Sequence, residues 1–281
     1  MAFPRVAATT ATMTFDAVLT RLAGREAVAG ILLMGTTATG ALTPSSDYDL
    51  LLVLDRPVVP LSLLTTVIDG RCAEIYATTA AGLRRIAATT TPWSDSSAEG
   101  AIARWVRTGR IAHDRLGVLA EARAALVALP ATQPTEAAVY GTWRSIGYNL
   151  AILRRYLASD DPAAREAVDW RLLHDLGALA AAYFTVRGLP WRGEKESVRY
   201  LTREDPDFLD RYRRCLAETD RASKVAQYAE LADLALAPVG GPPPEGVVVV
   251  APGPGFGAPD DSGPGGTIAD ALAFWQGLVG A

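Results

Sequence analysis

Two stretches decide the fold of this chain: residues 31–36 read Ile-Leu-Leu-Met-Gly-Thr, and residues 46–50 read Ser-Asp-Tyr-Asp-Leu. The first is an apolar run that stops at Gly35, as a buried strand does when it turns towards a helix. A glycine at such a turn lets backbone N–H groups and the hydroxyls of Thr36 and Thr37 approach phosphate oxygens closely, and a following helix N-terminus would add the positive end of its dipole. The pattern therefore predicts a phosphate-binding turn.

Two aspartates lead into the second strand. Asp47 and Asp49 precede the apolar run from Leu50 to Leu54. Side chains of a strand alternate between faces, so residues i and i+2 put both carboxylates on one face and Tyr48 on the other. Close carboxylates repel each other unless a cation lies between them, and a hard cation such as Mg²⁺ would also bind nucleotide phosphates. A solvated turn before a strand is the alternative interpretation.

A third carboxylate follows on a predicted neighbouring strand. Glu74 lies inside the apolar stretch from Ala73 to Ala77. Between the two strands the spacing predicts a short helix from about Leu61 to Val67 and a turn at Asp69-Gly70. Glu74 would either bind metal or take the proton of an acceptor group, and a satisfied or edge residue is the alternative.

These residues resemble the DNA polymerase beta-like nucleotidyltransferase superfamily, whose pattern is Gly-[Gly/Ser], then Asp-x-Asp on a strand and a later acidic residue. The chain is most similar to the aminoglycoside nucleotidyltransferase branch, although Thr36 stands where Ser or Gly is usual. The matching residues are Gly35, Thr36, Gly40, Ser46, Asp47, Asp49 and Glu74. The resemblance implies that Asp47, Asp49 and Glu74 are catalytic and bind metal. It also implies that Gly35, Thr36 and Ser46 bind the nucleotide.

The resemblance further implies the cofactors and the reaction. Two Mg²⁺ ions would bind with ATP or another nucleoside triphosphate, and a nucleoside monophosphate, expected to be AMP, would pass to a hydroxyl of a small molecule. An aminoglycoside is the acceptor that this branch suggests, which would make the activity one of antibiotic resistance. Two alternatives stay open: a protein-modifying nucleotidyltransferase of the toxin–antitoxin type, and a non-catalytic nucleotide-binding protein.

The second half of the chain has apolar residues at helical spacing from Thr135 onwards, which predicts a helical bundle. The predicted fold class is α+β, with an N-terminal nucleotidyltransferase domain, a mixed sheet flanked by helices, before that bundle. From the resemblance, Lys195, Lys224 and Tyr228 are expected to contact the nucleotide. Lys195 falls in the first turn of a predicted helix, where a cation opposes the dipole and suits an anionic partner. A solvated lysine and an ordinary amphipathic helix face are the alternatives.

The composition divides the chain into five predicted parts. They are a flexible leader (1–12), the nucleotidyltransferase domain (13–120), the helical bundle (130–237), a Gly/Pro-rich linker (238–267) and a short C-terminal helix (268–281).

Charge and composition exclude some functions. The 281 residues are 49% hydrophobic and carry a formal net charge of −4. This balance argues against a general nucleic-acid binder and suits a cationic acceptor such as an aminosugar. Cys72 and Cys215 are too few for a disulfide framework, and no apolar run reaches membrane-spanning length, so we expect a cytoplasmic protein without a membrane partner. The resemblance suggests a homodimer.

Overall fold

The computed structural model describes residues 12–56, 60–90, 97–129, 134–245, 247, 249–251 and 267–279. Apart from Thr12, the predicted leader lies outside the described residues, as does most of the predicted linker. The chain forms two compact units, Met1–Thr132 and Gln133–Ala281. The predicted α+β class, a mixed sheet with helices followed by a helical region, is confirmed.

Within the described part of the first unit, five strands form one sheet in the order β3-β4-β2-β1-β5. The strands are β1 (Val28–Leu33), β2 (Tyr48–Leu54), β3 (Leu63–Ile68), β4 (Arg71–Thr79) and β5 (Arg110–Asp114). β2 and β4 run parallel, and the other neighbouring strands run antiparallel. The parallel pair places the starts of β2 and β4 at the same edge of the sheet.

Helices cover both faces of this sheet. They are α1 (Phe15–Ala23), α2 (Gly35–Thr39), α3 (Ala80–Ala87), α4 (Ala98–Thr108) and α5 (Val118–Ala128). Leu32, Leu51 and Val53 pack on one face with apolar residues of α3, α4 and α5. Ile31 and Leu50 pack on the other face with residues of α1. The alternation of buried side chains along β1 and β2 fills both cores, which is why these strands read as continuous apolar runs.

The predicted short helix from Leu61 to Val67 is wrong, because the chain there forms strand β3. β3 pairs antiparallel with β4 through a tight turn at Asp69 and Gly70, whose φ angles are 53° and 71°. Asp-Gly is a favoured pair for a hairpin turn that needs two positive φ angles. The β-branched residues Thr65, Thr66 and Val67 suit an edge strand, and the pairing with β4 outweighs any helical tendency.

The second unit is helical. Its helices are α6 (Glu136–Leu157), α7 (Pro162–Thr185), α8 (Glu194–Glu204), α9 (Pro206–Ala217) and α10 (Arg221–Leu236), a 3₁₀ turn (Ala237–Val239) and α11 (Ile268–Val279). The five helices from α6 through α10 share one apolar core, and its buried residues include Leu150, Leu179 and Tyr228. No helix among the described residues of the chain has the length and apolar character needed to cross a bilayer.

Candidate active site

Asp49 and Glu74 lie side by side at one edge of the sheet. They are register partners in the parallel pair of β2 and β4, so their side chains leave the same face of the sheet. Both residues are half-buried, as is Asp47 just before β2. The structure thus brings together the two acidic stretches that the sequence pattern had separated by a connection and a hairpin.

The Tyr76 hydroxyl lies beside the acidic residues and interacts with them. The Tyr76 hydroxyl donates a hydrogen bond to Glu74 Oε2 at 3.0 Å. Burial raises the pKa of Tyr76, and the hydrogen bond to Glu74 and the charges of Glu74, Asp49 and Asp47 raise it further. The Tyr76 ring packs on Trp105 with centroids 4.6 Å apart. The charges of all three carboxylates thus act on one hydroxyl.

Gly35 gives the Asp49 carboxylate its space. The residue has a φ of 51°, and a Cβ at this position would lie 3.1 Å from Asp49 Oδ2. The Met34 N–H, one residue earlier, donates to the Asp49 carbonyl at 3.0 Å. A side chain at position 35 would be strained and would crowd the carboxylate, so glycine serves both the backbone and the site.

Thr37 fixes the backbone that carries the two aspartates. Its hydroxyl donates to the Asp47 carbonyl at 3.3 Å and accepts from the Asp49 N–H at 3.0 Å. The buried Thr37 hydroxyl thus bridges α2 to the start of β2, and its predicted approach to phosphate oxygens stays a prediction. Thr36 stays half-buried. α2 has only five residues, so its dipole adds little for an anion.

Arg71 and Ser46 shape the turn that leads to Asp47. The Arg71 guanidinium donates to the Thr43 carbonyl at 2.6 Å and to the Ser46 carbonyl. The buried Ser46 hydroxyl accepts from the Thr43 N–H at 2.9 Å. Ser46 thus closes a turn, and its predicted contact with the nucleotide stays a prediction. Sequence reasoning did not find Arg71, because its partners lie far away along the chain.

The donor set suits a hard cation that brings its own further ligands. Within the described ranges, no three side chains of His, Cys, Asp or Glu converge as a complete metal site. Asp47 and Asp49 supply carboxylate oxygens, and Glu74 is turned towards Tyr76. Mg²⁺ usually binds one or two carboxylates and completes its shell with water and substrate phosphates. Two aspartates fit that requirement.

The remaining predicted contacts lie in the helical unit. Lys195 is the second residue of α8 and is exposed, and Lys224 is half-buried in the first turn of α10. Tyr228 is fully buried in the bundle core, and burial raises its pKa. A side chain in that core has no open surface for a nucleotide, so we leave Tyr228 out of the proposed site. Lys195 and Lys224 stay predictions.

Buried polar residues around α7 were not predicted from the sequence. Asp175 is fully buried, and Arg171 Nε lies 3.0 Å from its Oδ2 atom. Arg171 also donates to the buried Asn149 amide oxygen, and His174 Nδ1 lies 3.0 Å from Asp175 Oδ1. An acid at a core position of a helical stripe, with an arginine four residues before it, is the signal that could have found this pair.

Comparison with known proteins gives a distant structural likeness. No family model and no curated protein sequence matches the chain. The chain is similar to the crystal structure of a nucleotidyltransferase-like protein from Exiguobacterium sibiricum 255-15. The identity is 16% and the TM-score 0.41, and the match covers 79% of this chain and 73% of that chain.

Proposed function

We propose that this protein is a metal-dependent nucleotidyltransferase, which moves AMP from ATP to a hydroxyl group of a small molecule. The observation that carries the proposal is the acidic site itself. Asp49 and Glu74 are register partners on parallel strands, Asp47 adds its charge to theirs, and the missing side chain of Gly35 avoids crowding the Asp49 carboxylate. This arrangement matches the motif on which the resemblance to polymerase beta-like nucleotidyltransferases rests.

Asp47 and Asp49 would hold the metal, and Gly35 and Thr36 would lie next to the triphosphate. Bound Mg²⁺, two ions in this proposal, would neutralise phosphate charge and orient the α-phosphate for attack. The chain's own contribution is position. The Thr37 hydroxyl and the Arg71 guanidinium fix the backbone on both sides of Asp47, so the carboxylates are held before substrate arrives.

Glu74 would take the proton of the acceptor hydroxyl. It accepts a hydrogen bond from the Tyr76 hydroxyl at 3.0 Å. A carboxylate that already accepts one hydrogen bond is held in place, while its second oxygen can accept from an incoming hydroxyl. Glu74 as a third metal ligand is the other role that the same position supports.

An aminoglycoside is the acceptor class we propose. Its amino groups are cationic, and the chain carries a formal net charge of −4. Opposite charge speeds encounter and favours binding at an acidic site.

The test is pyrophosphate release from each of the four nucleoside triphosphates with Mg²⁺, screened against a panel of aminoglycosides. Asp47→Asn and Asp49→Asn remove one charge each, and Asp55→Asn, at an exposed residue just after β2, is the matched control. We expect release with ATP and at least one acceptor, unchanged in Asp55→Asn and lost in the other two. Release that persists in both site variants would contradict the proposal, and nucleotide found on protein would favour a protein acceptor.

A further inference from the structure

After α10 and the 3₁₀ helix, the chain packs against the surface of α6. We call the described residues of 241–251 the strap. Gly240 and Gly241, with φ angles of 86° and 83°, turn the chain after the 3₁₀ helix, and the Gly241 N–H donates to the Leu236 carbonyl at 3.0 Å. Positive φ angles favour glycine, so these two residues fix the direction in which the strap leaves.

Two aromatic residues of α6 hold the strap by its backbone. The Trp143 indole N–H donates to the Gly241 carbonyl at 2.8 Å, and the Tyr140 hydroxyl donates to the Val250 carbonyl at 2.8 Å. The two rings lie 5.6 Å apart by their centroids. Aromatic-lined grooves are a recurring means of binding proline-rich segments. The strap turns back after its prolines, where the Val247 N–H donates to the Pro244 carbonyl at 3.5 Å.

A glycine on the same helix receives a proline. Gly147 lies so close to Pro243 that a Cβ there would stand 2.4 Å from both Cγ and Cδ of the proline ring. At Gly141, in the same helix, an added Cβ would have no atom of the described residues within 4 Å. Glycine in the interior of a helix lowers the stability of that helix. The glycine at position 147 is explained by the close approach of the Pro243 ring, for which a side chain would leave no room.

An ion pair follows the prolines. Arg154 of α6 contacts the Glu245 carboxylate, which comes directly after Pro242, Pro243 and Pro244. Both side chains are well exposed, so the pair adds selectivity for an acid more than stability.

The strap lies on the bundle and is not part of its core. No described residue of the strap belongs to the apolar core of the helical unit. A groove of about 480 Å³ remains between α6 and the strap, lined by Tyr148, Ala151 and Val247 among others. Release of the strap would therefore expose the α6 surface and leave the core intact.

We propose that the α6 surface formed by Tyr140, Trp143, Gly147 and Arg154 is a binding site for a proline-rich peptide that turns back after an acidic residue, as the strap does. The strap fills this site within the same chain. Because the strap is tethered to the bundle, its effective concentration at the site is roughly millimolar. A separate peptide of the same chemistry must therefore bind more tightly than the strap, or the strap must first leave the site.

The first test compares two substitutions in the full-length chain. Gly147→Ala adds a methyl group where Pro243 lies, and Gly141→Ala adds the same group where no atom of the described part of the chain lies within 4 Å. Both remove a helical glycine, so a general effect on α6 would be equal in the two. We expect cleavage after Glu245 by a glutamate-specific protease to become several-fold faster in Gly147→Ala alone. Equal rates in both variants would overturn the proposal.

The second test asks whether the surface binds a separate peptide. Full-length Pro243→Asp should release the strap, shown by the same faster cleavage, and a fluorescent synthetic peptide of residues 240–251 should then bind with one-to-one stoichiometry by anisotropy. Adding Gly147→Ala to that variant should abolish binding. A peptide with arginine in place of Glu245 should bind several-fold more weakly. Its affinity should recover when the protein also carries Arg154→Glu. Unaccelerated cleavage, no saturable binding, or binding that survives Gly147→Ala would each overturn the proposal.

Discussion

Acidic side chains are partly or fully buried in both units, but they are held in opposite ways. Asp175 in α7 is fully buried beside the Arg171 guanidinium, with Arg171 Nε 3.0 Å from its carboxylate. Asp49 and Glu74 are aligned with each other on parallel strands, and the charge of Asp47 reaches the same tyrosine as theirs. A carboxylate matched by a cation in a core maintains the fold, whereas carboxylates gathered at a sheet edge repel one another and suit a charged ligand.

If this contrast is right, Asp49→Asn should have the largest effect on activity. The change removes a carboxylate from the candidate metal site and keeps the size of the side chain. We expect kcat/KM to fall at least about a hundredfold, the scale seen when one preorganised electrostatic group is removed from an active site. Steady-state pyrophosphate release measures it, and a variant that keeps half of the activity would remove Asp49 from the mechanism.

Asp175→Asn should show the reverse pattern, with the loss in stability. The change leaves the Arg171 guanidinium without its buried counter-charge, which costs about 3 kcal/mol at the lower end of the range for such pairs, since the Arg171 side chain keeps 30% exposure. Urea unfolding measures the change. The exposed pair of Asp210 and Arg213 supplies the control, because Asp210→Asn should change stability little. Similar losses in the two variants would contradict the structural role of Asp175.

Gly35→Ala separates backbone strain from crowding of the carboxylate. Gly35 and Gly40 both have positive φ angles, so alanine at either should cost about 1 kcal/mol of stability or somewhat more. At Gly35 the new Cβ would lie 3.1 Å from Asp49 Oδ2, while at Gly40 it would meet no atom within 4 Å among the residues that the structure describes. We expect roughly tenfold lower activity for Gly35→Ala and near-normal activity for Gly40→Ala, since small misplacements of reacting groups are costly. Equal activity in both variants would show that the contact with Asp49 is unimportant.

The smallest expected effect is a shift in the titration of Tyr76. Burial comes first among the causes that raise its pKa, then the hydrogen bond and charge of Glu74, then the charges of Asp49 and Asp47. Removing a negative charge makes the phenolate less unfavourable, so the pKa of Tyr76 should fall most in Glu74→Gln, less in Asp49→Asn and least in Asp47→Asn. Ultraviolet titration of each variant against its own Tyr76→Phe form isolates this phenol. A Tyr76 signal that ignores all three changes would show that the carboxylates do not form one site.

The raised pKa of Tyr76 also predicts how stability depends on pH. The folded protein holds the phenol proton more tightly than the unfolded chain, so this contribution is present in full below pH 10.0, the ordinary phenol pKa. This contribution to the stability of the folded protein is lost as the pH rises through the higher pKa that Tyr76 has in the folded state.

The central strands could be predicted from the sequence because their signals are local. The apolar runs of β1 and β2 and the alternation of Asp47, Tyr48 and Asp49 need no knowledge of distant partners. β3 could not be predicted in this way. Its leucines and valine fit a helix as well as a strand over so short a length, and the antiparallel pairing with β4 decides between them.

The residues that support the site were missed for the same reason. Arg71 holds carbonyls 25 and 28 residues away, and Thr37 bonds to backbone groups 10 and 12 residues away. Nothing in the local sequence distinguishes these side chains from ordinary surface ones. Tyr228 was predicted to contact the nucleotide, but it is fully buried in the bundle core. The spacing of residues along a helix does not tell whether a polar side chain faces a cleft or the core.

The most direct test of the central claim is the fate of two labels in ATP. Nucleotidyl transfer moves the α-phosphate to the acceptor and releases the γ-phosphate in pyrophosphate. We therefore predict that an acceptor found in the pyrophosphate screen gains label from α-labelled ATP and none from γ-labelled ATP, and that Asp49→Asn abolishes the transfer while Asp55→Asn does not. Label arriving from the γ-position, or α-label transferred equally well by Asp49→Asn, would contradict the proposed function.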